Sequence, residues 1–481
     1  MVTLSIIILY LLVTLAIGYY GYRIGQNHPD DYFLAGRDVG PVVLFFTLIA
    51  TNFSAFFFLG FAGAGYRIGY SYYGIMSFGT ALVALTFYFI GHKAWLLGKA
   101  KGYITPPEMI GDRFRSRPLK VLFLIVMVIF TVPYLALQPI GAGILLQELT
   151  NGLIPYFQGA VILTVVIVLY VFLGGMRSVA LTDVVQGVIM FSLMFLAVWV
   201  VADALGGLSA ANARVYALNP ELFSREGAGG YFTPRKWFSF MILWMLAVPM
   251  FPQMFMRFFI SRDVAALRTS ARLYPLVTAL LFLCPVIIGV IGHIPFPELA
   301  GKEADKILPL MLTRFTPEWL GALIMVGALA AFMSTMDSQL LALSSMLTRD
   351  LYRDLFKTRV TYETQVQVGK ILIVILSLLG LLIAYRPPAT IFQIATQAFT
   401  GLAILFPTTI AALYWPRATA GSCIASILVG EGLLIGLHYE LIPASFTLGF
   451  LPVVPLVGIA ALMIVVGSLV VGKEPAGEKM G

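Results

Sequence analysis

Gly327 to Arg349 reads GALAAFMSTMDSQLLALSSMLTR. The run is apolar and long enough for a membrane-crossing helix, yet Ser334, Thr335 and Asp337 stand in its middle. Polar groups at that depth are costly unless they pair or build a site. A hydroxyl pair and a carboxylate on adjoining turns therefore place this chain's function inside a bilayer.

The rest of the chain supplies that bilayer setting. Of its 481 residues 60% are hydrophobic and 11% charged, with mean hydropathy +0.93, whereas soluble domains carry about 25% charge. Runs approaching the roughly 20 apolar residues that cross about 30 Å of hydrocarbon recur from 3–23 to 448–471, and thirteen are expected. The fold class is thus an all-α polytopic membrane protein. No basic residue precedes Arg23, so the first run reads as a retained helix and not a cleavable signal. Sorted by alternate loops, 22 of the 31 Lys and Arg fall on one side and 9 on the other. The positive-inside rule then puts the N-terminus outside and the C-terminus in the cytoplasm, in a multi-pass plasma-membrane protein.

Several function classes drop out. The net charge of +8 reads as topology and contact with anionic lipid, not as a nucleic-acid footprint. Cys284 and Cys423 both lie in expected spans and read as packing residues, and the four histidines never pair at helical spacing. No phosphate-cradling GxxxxGK[ST] run occurs, and no nucleophile–base pair or metal constellation suggests an enzyme. The loops near 98–118 and 204–233 are too short for an independent core, and 473–481 reads as a polar tail.

Broken helices are the next signal, because lipid tolerates unpaired backbone only where it lines a cavity. The second span, FFTLIATNFSAFFFLGFAGAGY from residue 45, is interrupted by Thr51, Asn52 and Ser54. The seventh, WFSFMILWMLAVPMFPQMFMRF from residue 237, contains Pro249 and Pro252, which remove two backbone donors. In the expected topology these two spans run in opposite directions. If each opens a five-helix unit, the units are inverted repeats, the layout of secondary transporters. Counting 1.5 Å per residue, Ala50–Ser54 and Ser334–Thr335 come to the same depth, about 20 Å from the inner surface. The hydroxyls of Ser334 and Thr335, the Ala331 carbonyl and the carbonyls of Ala50 and Phe53 then form a candidate sodium site of hard oxygens. The competing reading is that both hydroxyls merely bond back to carbonyls one turn earlier, as is common in membrane helices.

Several stretches resemble the sodium/solute symporter family: DYFLAGRDVG (31–40), IATNFSAFFFLGFAGAGYRIG (49–69), GGMRSVALTDVVQG (174–187), RFFISRD (257–263) and AAFMSTMDSQLLALSSMLTRDLY (330–352). They come in the family's order and cover nearly the whole chain. The resemblance implies a leucine-transporter-like inverted five-plus-five core and sodium-coupled symport by alternating access. The implied divisions are an extra helix and loop at 1–39, a first repeat at 40–205, an outer loop at 206–233, a second repeat at 234–414, two further helices at 415–472 and the tail. It also implies that Ala50, Phe53, Ala331, Ser334 and Thr335 hold sodium, with Asp183 near its cytoplasmic exit. Asp337 stands where the family often has a neutral polar residue. A proton-linked variation, a second cation contact and a simple interhelical hydrogen bond remain open for it. Glu431 falls outside the core and reads as structural or lipid-edge.

Substrate contacts are harder to read. Thr51, Asn52, Ser54 and Phe56 on the second span, Tyr72 and Tyr73 on the third and Gln138 on the fourth are candidates, as are Trp244 and Gln253 on the seventh and Gln393 and Gln397 on the eleventh. The competing reading for each is interhelical packing. Arg67 is the one cation expected near the pathway, but a small carboxylate can instead be held by helix N-termini and amide donors. The second span most resembles the branch with bacterial monocarboxylate and pantothenate permeases, so lactate or pyruvate is expected first, then pantothenate, then proline or another amino acid. One charge moving through 100 mV supplies about 2.3 kcal/mol and a tenfold ion gradient about 1.4 kcal/mol, enough to concentrate a neutral solute several hundred-fold. No cofactor beyond sodium is expected, and the chain is expected to act as a monomer. The rival class is a passive channel or facilitator.

Overall fold

The computed structural model describes residues 2–25, 28–356 and 361–471; the expected tail at 473–481 lies outside them. Among the described residues helices carry the fold, and the only β pairing is one isolated bridge, Val39 to Ser261. Ten helices are long and apolar enough to cross a membrane, or twelve when two sharply bent pairs each count as one span. Thirteen were expected, and the difference lies at 156–204. There the chain forms one 49-residue helical element, Tyr156–Ala204, about 73 Å long at 1.5 Å per residue and so too long for a single crossing. Its backbone leaves helical geometry at Gly175 (φ 55°, ψ −143°), between the two runs that the sequence separates. Only glycine suits that point, since a Cβ would lie 2.4 Å from the Tyr32 carbonyl oxygen.

The two bent pairs are those the sequence marked. Pro41–Asn52 meets Phe56–Ile68 at 56°, and Pro234–Met250 meets Pro252–Ile260 at 55°. In the second pair Pro249 and Pro252 supply no N–H, and Phe251 between them is extended (φ −63°, ψ 130°). Near-equal bends in corresponding places give the two halves of the core matching discontinuities, as inverted repeats require.

Glu318–Met346 runs through the centre. Every residue from Ile324 to Met346 is buried, as befits a helix wrapped by others on all sides. Its neighbours include Val2–Ile24, Arg117–Leu149, Tyr156–Ala204 and Tyr362–Tyr385. The segment between the repeats, expected as a loop at 206–233, contains the helix Leu208–Leu218 and ties to the core where Tyr70 N–H donates to the Leu222 carbonyl at 2.8 Å.

Both ends of the core are shut. At one face Val39 N–H donates to Ile260 O (3.1 Å) and Arg262 N–H to Val39 O (3.0 Å), joining the start of the first broken pair to the end of the second. At the other face Arg67, on the second half of the first pair, meets Asp305 at 3.1 Å, whose second oxygen caps Ile391 N–H at 3.0 Å. The last two helices, Ala420–His438 and Val453–Val471, pack on each other through Ser426 Oγ, which donates to Ala460 O at 2.8 Å. Glu431 is buried there, with neither carboxylate oxygen hydrogen-bonded.

Candidate functional site

The first break is built by polar side chains that intercept backbone donors. Ala55 N–H donates to Gln138 Oε1 at 2.9 Å, Phe56 N–H to Ser54 Oγ at 3.2 Å, and Phe57 N–H to the Ser54 carbonyl at 2.9 Å. In an unbroken helix those three donors would serve the carbonyls of Thr51, Asn52 and Phe53. Gln138, a candidate substrate contact from sequence, is instead spent on the backbone; its Nε2 donates to Tyr134 O at 3.2 Å.

The freed carbonyls converge on the buried helix. Ser334 Oγ lies 2.8 Å from Ala50 O and 3.1 Å from Ala331 O. Thr335 Oγ1 lies 3.1 Å from Thr51 O and 3.0 Å from Phe53 O. Ala50, Phe53, Ala331, Ser334 and Thr335 all have 0% exposure, so the structure brings together the five residues singled out from sequence and adds the Thr51 carbonyl. Bonding back within the helix does not account for Thr335, whose two partners are both on the neighbouring broken pair. Each hydroxyl has one hydrogen for two carbonyls, so each pair keeps acceptor capacity that a small cation can use. Among the described residues no cluster of three His, Cys, Asp or Glu could hold a metal, and the site consists of neutral hard oxygens.

Beside this site lies a charged network that the sequence reading missed. Arg257 stood there only as the first residue of the RFFISRD stretch, and Arg67 was taken as the one cation near the pathway. The structure corrects this: Arg257 is 0% exposed and points across the core from Pro252–Ile260. Its Nε donates to Thr47 Oγ1 at 3.0 Å, and its Nη2 donates to Thr51 Oγ1 at 2.9 Å and to Ser338 Oγ. The same nitrogen pairs with Asp183 Oδ2 at 3.4 Å, which also accepts from Thr47 Oγ1. Asp337 accepts from Tyr170 OH at 2.6 Å and from Ser338 Oγ at 3.1 Å. Thr51 thus touches both systems, giving its carbonyl to the hydroxyl site and its hydroxyl to Arg257. The signal in the sequence was an arginine five residues after Pro252, close enough to the break for the bend to turn it inward.

A cavity of about 20 Å³ lies between the two breaks, lined by residues that include Asn52, Phe56, Thr80, Tyr134, Trp244 and Phe399. That is room for about one water. Asn52 Nδ2 donates to Tyr274 OH at 2.5 Å, and Ser54 Oγ lies 2.9 Å from Tyr134 OH. Trp244 and Tyr72 are fully buried, and among the described residues Trp244 Nε1, Tyr72 OH and Gln253 Oε1 have no hydrogen-bond partner. Tyr73 is spent on Ala279 O at 3.0 Å. Gln393 and Gln397 are both exposed, and Gln393 closes a capping box with Thr390, so these two do not reach the interior. Nor does the N-terminus of the half-helix that begins at Phe56 offer free donors to a carboxylate, because Ser54 and Gln138 have taken them.

Comparison with known proteins follows this geometry. Residues 32–430 match the sodium:solute symporter family. The sodium/pantothenate symporter of Escherichia coli (strain K12) is 29% identical over 468 residues, covering 96% of this chain and 95% of that protein. The high-affinity proline transporter of Bacillus subtilis (strain 168) is 29% identical over 446 residues, covering 89% and 92%. Among solved structures, a Na+-coupled sialic acid symporter superposes with TM-score 0.83 at 18% identity over 99% of both chains. MhsT in complex with L-phenylalanine superposes with TM-score 0.54 at 14% identity, over 89% of this chain and 98% of that one. The fold is therefore leucine-transporter-like. These two relatives carry pantothenate and proline in their names, which favours the second and third substrate expectations over lactate or pyruvate.

Proposed function

The chain belongs to the sodium:solute symporter family, and from that premise we propose that it imports pantothenate with sodium by alternating access. Sodium-coupled solute symport is common ground for the family match and the fold; the solute is the proposal. One observation carries it: likeness to a sodium/pantothenate symporter extends over 95% or more of both chains. The central cavity offers aromatic walls to the solute's apolar body and leaves its carboxylate to neutral donors, Asn52 and the Trp244 Nε1, with no cation in the lining. At its present volume the cavity admits no such solute, so loading requires Phe56, Trp244 and Phe399 to move apart.

Sodium is assigned to the carbonyls of Ala50, Phe53 and Ala331 and the hydroxyls of Ser334 and Thr335, the mode by which unwound carbonyls hold sodium in this class of fold. Its exit leads past Asp183, whose Oδ1 is buried and unpartnered, and Asp337 stands by as a secondary cation contact. The face at which Val39 meets Ser261 is cytoplasmic, with the N-terminus outside, and a single copy suffices. Proline is the second reading, supported by a relative of equal identity.

Uptake of labelled pantothenate, proline, lactate and pyruvate into proteoliposomes, under an inward sodium gradient and with sodium replaced by potassium, tests this. Accumulation of pantothenate only with sodium is expected. Accumulation of another solute alone replaces the substrate, and sodium-independent equilibration overturns the coupling.

A further inference from the structure

A groove of about 330 Å³ opens on the membrane-facing side of the core, between the helix Phe406–Tyr414, the last helix and Leu246. Its walls are apolar: Leu246, Phe406, Ile410, Ala461 and Val465 among them. It exists because the span Ile391–Tyr414 steps at Leu405, where Leu405 N–H bonds to Leu402 O at 3.1 Å and Pro407 follows without an N–H. At one end stand Tyr414 and Trp415, the residue types that settle at the membrane–water boundary.

That same end carries two cations. Lys93 Nζ lies 3.9 Å above the Tyr414 ring and donates to Leu413 O at 3.2 Å. Arg113 donates to Ala412 O and to Trp415 O, each at 3.2 Å. Among the described residues neither is in an ion pair; besides the carbonyls, Lys93 has the Tyr414 ring and Arg113 the Phe114 ring at 5.0 Å, so two positive charges face the boundary without a carboxylate. An apolar slot ending in aromatics and two uncompensated cations has the chemistry of one acyl chain joined to a phosphodiester.

We propose that this groove is a specific site for an anionic glycerophospholipid, one acyl chain lying against Ile410 and Ala461 and the phosphate held by Lys93 and Arg113. Anionic lipids are concentrated in the cytoplasmic leaflet, the leaflet in which the proposed orientation puts this end. Leu246 gives the site a consequence, because it precedes by two residues the Val248–Met250 turn at which the second pair breaks. A chain seated there braces the hinge from the lipid side.

The test is native mass spectrometry of the full chain, delipidated in detergent and titrated with phosphatidylglycerol, phosphatidylcholine or glycerol 3-phosphate. One phosphatidylglycerol per chain is expected, bound at least tenfold more tightly than phosphatidylcholine, with no comparable binding of glycerol 3-phosphate. Ala461→Trp, which fills the slot, and the pair Lys93→Gln with Arg113→Gln should each weaken that binding tenfold or more. Because the paired variant also removes bonds to carbonyls, Ala461→Trp decides the matter if that protein fails to fold. Equal binding of the two lipids, indifference to Ala461→Trp, glycerol 3-phosphate binding as tightly as the lipid, or a two-chain complex dispersed by Ala461→Trp would each overturn the proposal.

Discussion

Thr335 Oγ1 stands 3.0 Å from the carbonyl oxygen of Phe53, 282 residues earlier in the chain, so a hydroxyl of the second repeat closes on the break in the first. Thr335→Ala removes one oxygen of the proposed sodium site and leaves two freed carbonyls facing a methyl group. The sodium concentration for half-maximal effect should rise about tenfold or more, the equivalent of about 1.4 kcal/mol, while Thr335→Ser keeps it near normal. Sodium-dependent uptake and sodium-induced thermal stabilisation both read this, and unaltered sodium dependence in the alanine variant sinks the assignment.

Arg257 is the cation that binds the two broken pairs and Asp183 together. Arg257→Met strands Asp183 without its partner, a loss of about 3–5 kcal/mol for a buried ion pair broken from one side. Adding Asp183→Asn should restore part of that loss, showing a coupling of about 0.5–3 kcal/mol between the sites. Thermal midpoints of the two single variants and the double variant in detergent measure it; strict additivity would mean that the pair is not an energetic unit.

Gln138 holds the first break open by accepting from Ala55 N–H. Gln138→Leu takes away that acceptor; leaving the buried donor unpaired costs about 1–3 kcal/mol, and the strain is relieved as Ala55 N–H turns back to the Thr51 carbonyl. Sodium affinity should fall along with stability, because the Thr51 carbonyl regains a helical partner and the hydroxyl site loses its geometry. A variant that loses stability with sodium affinity intact would separate the break from the ion site.

Trp244 Nε1 is a buried donor without an acceptor, beside the cavity. Trp244→Phe should raise the KM for the transported solute several-fold and leave half-maximal sodium unchanged. If Nε1 is only an unmet packing cost, the variant becomes more stable with KM unaltered, so paired kinetics and thermal midpoints distinguish the outcomes.

His293, just past the end of the helix Val264–Ile291, stacks on Tyr66 with ring centroids 3.9 Å apart, and its Nε2 lies 2.7 Å from the Tyr66 carbonyl. Burial lowers its pKa from the ordinary 6.5, against a smaller upward pull from that carbonyl. The unfolded chain therefore takes up this proton at higher pH than the folded one. Stability is unaffected well above pH 6.5 and is lost as pH falls through 6.5 toward the lower folded value. Thermal midpoints between pH 5 and 8 should show this slope in the wild type and a shallower one in His293→Gln; equal slopes would remove His293 as the cause.

Which residues were legible follows from how local their roles are. Ser334 and Thr335 were readable because two hydroxyls inside an apolar helix stand out in one line of sequence, and both breaks were readable from Pro249, Pro252 and the Thr51–Ser54 interruption. Arg257 was not, because a basic residue near the end of a span has the same pattern whether it lies in water or turns inward, and the 55° bend decides which. Gln138 and Gln393 look alike as lone amides in apolar runs. One completes a helix break 83 residues away, the other caps its own helix at the surface.

By itself the sequence determined that this chain lives in a bilayer, where its helices break and which helix carries the hydroxyl pair, since hydropathy and the loss of backbone donors are properties of neighbouring residues. The tertiary structure alone decided that freed carbonyls and hydroxyls meet, that Arg257 spans the core to Asp183, and that the cavity between the breaks is closed to about 20 Å³. Those outcomes depend on the angles at which distant helices pack, and a bend of one helix moves a side chain between solvent and core without changing a single neighbour in sequence.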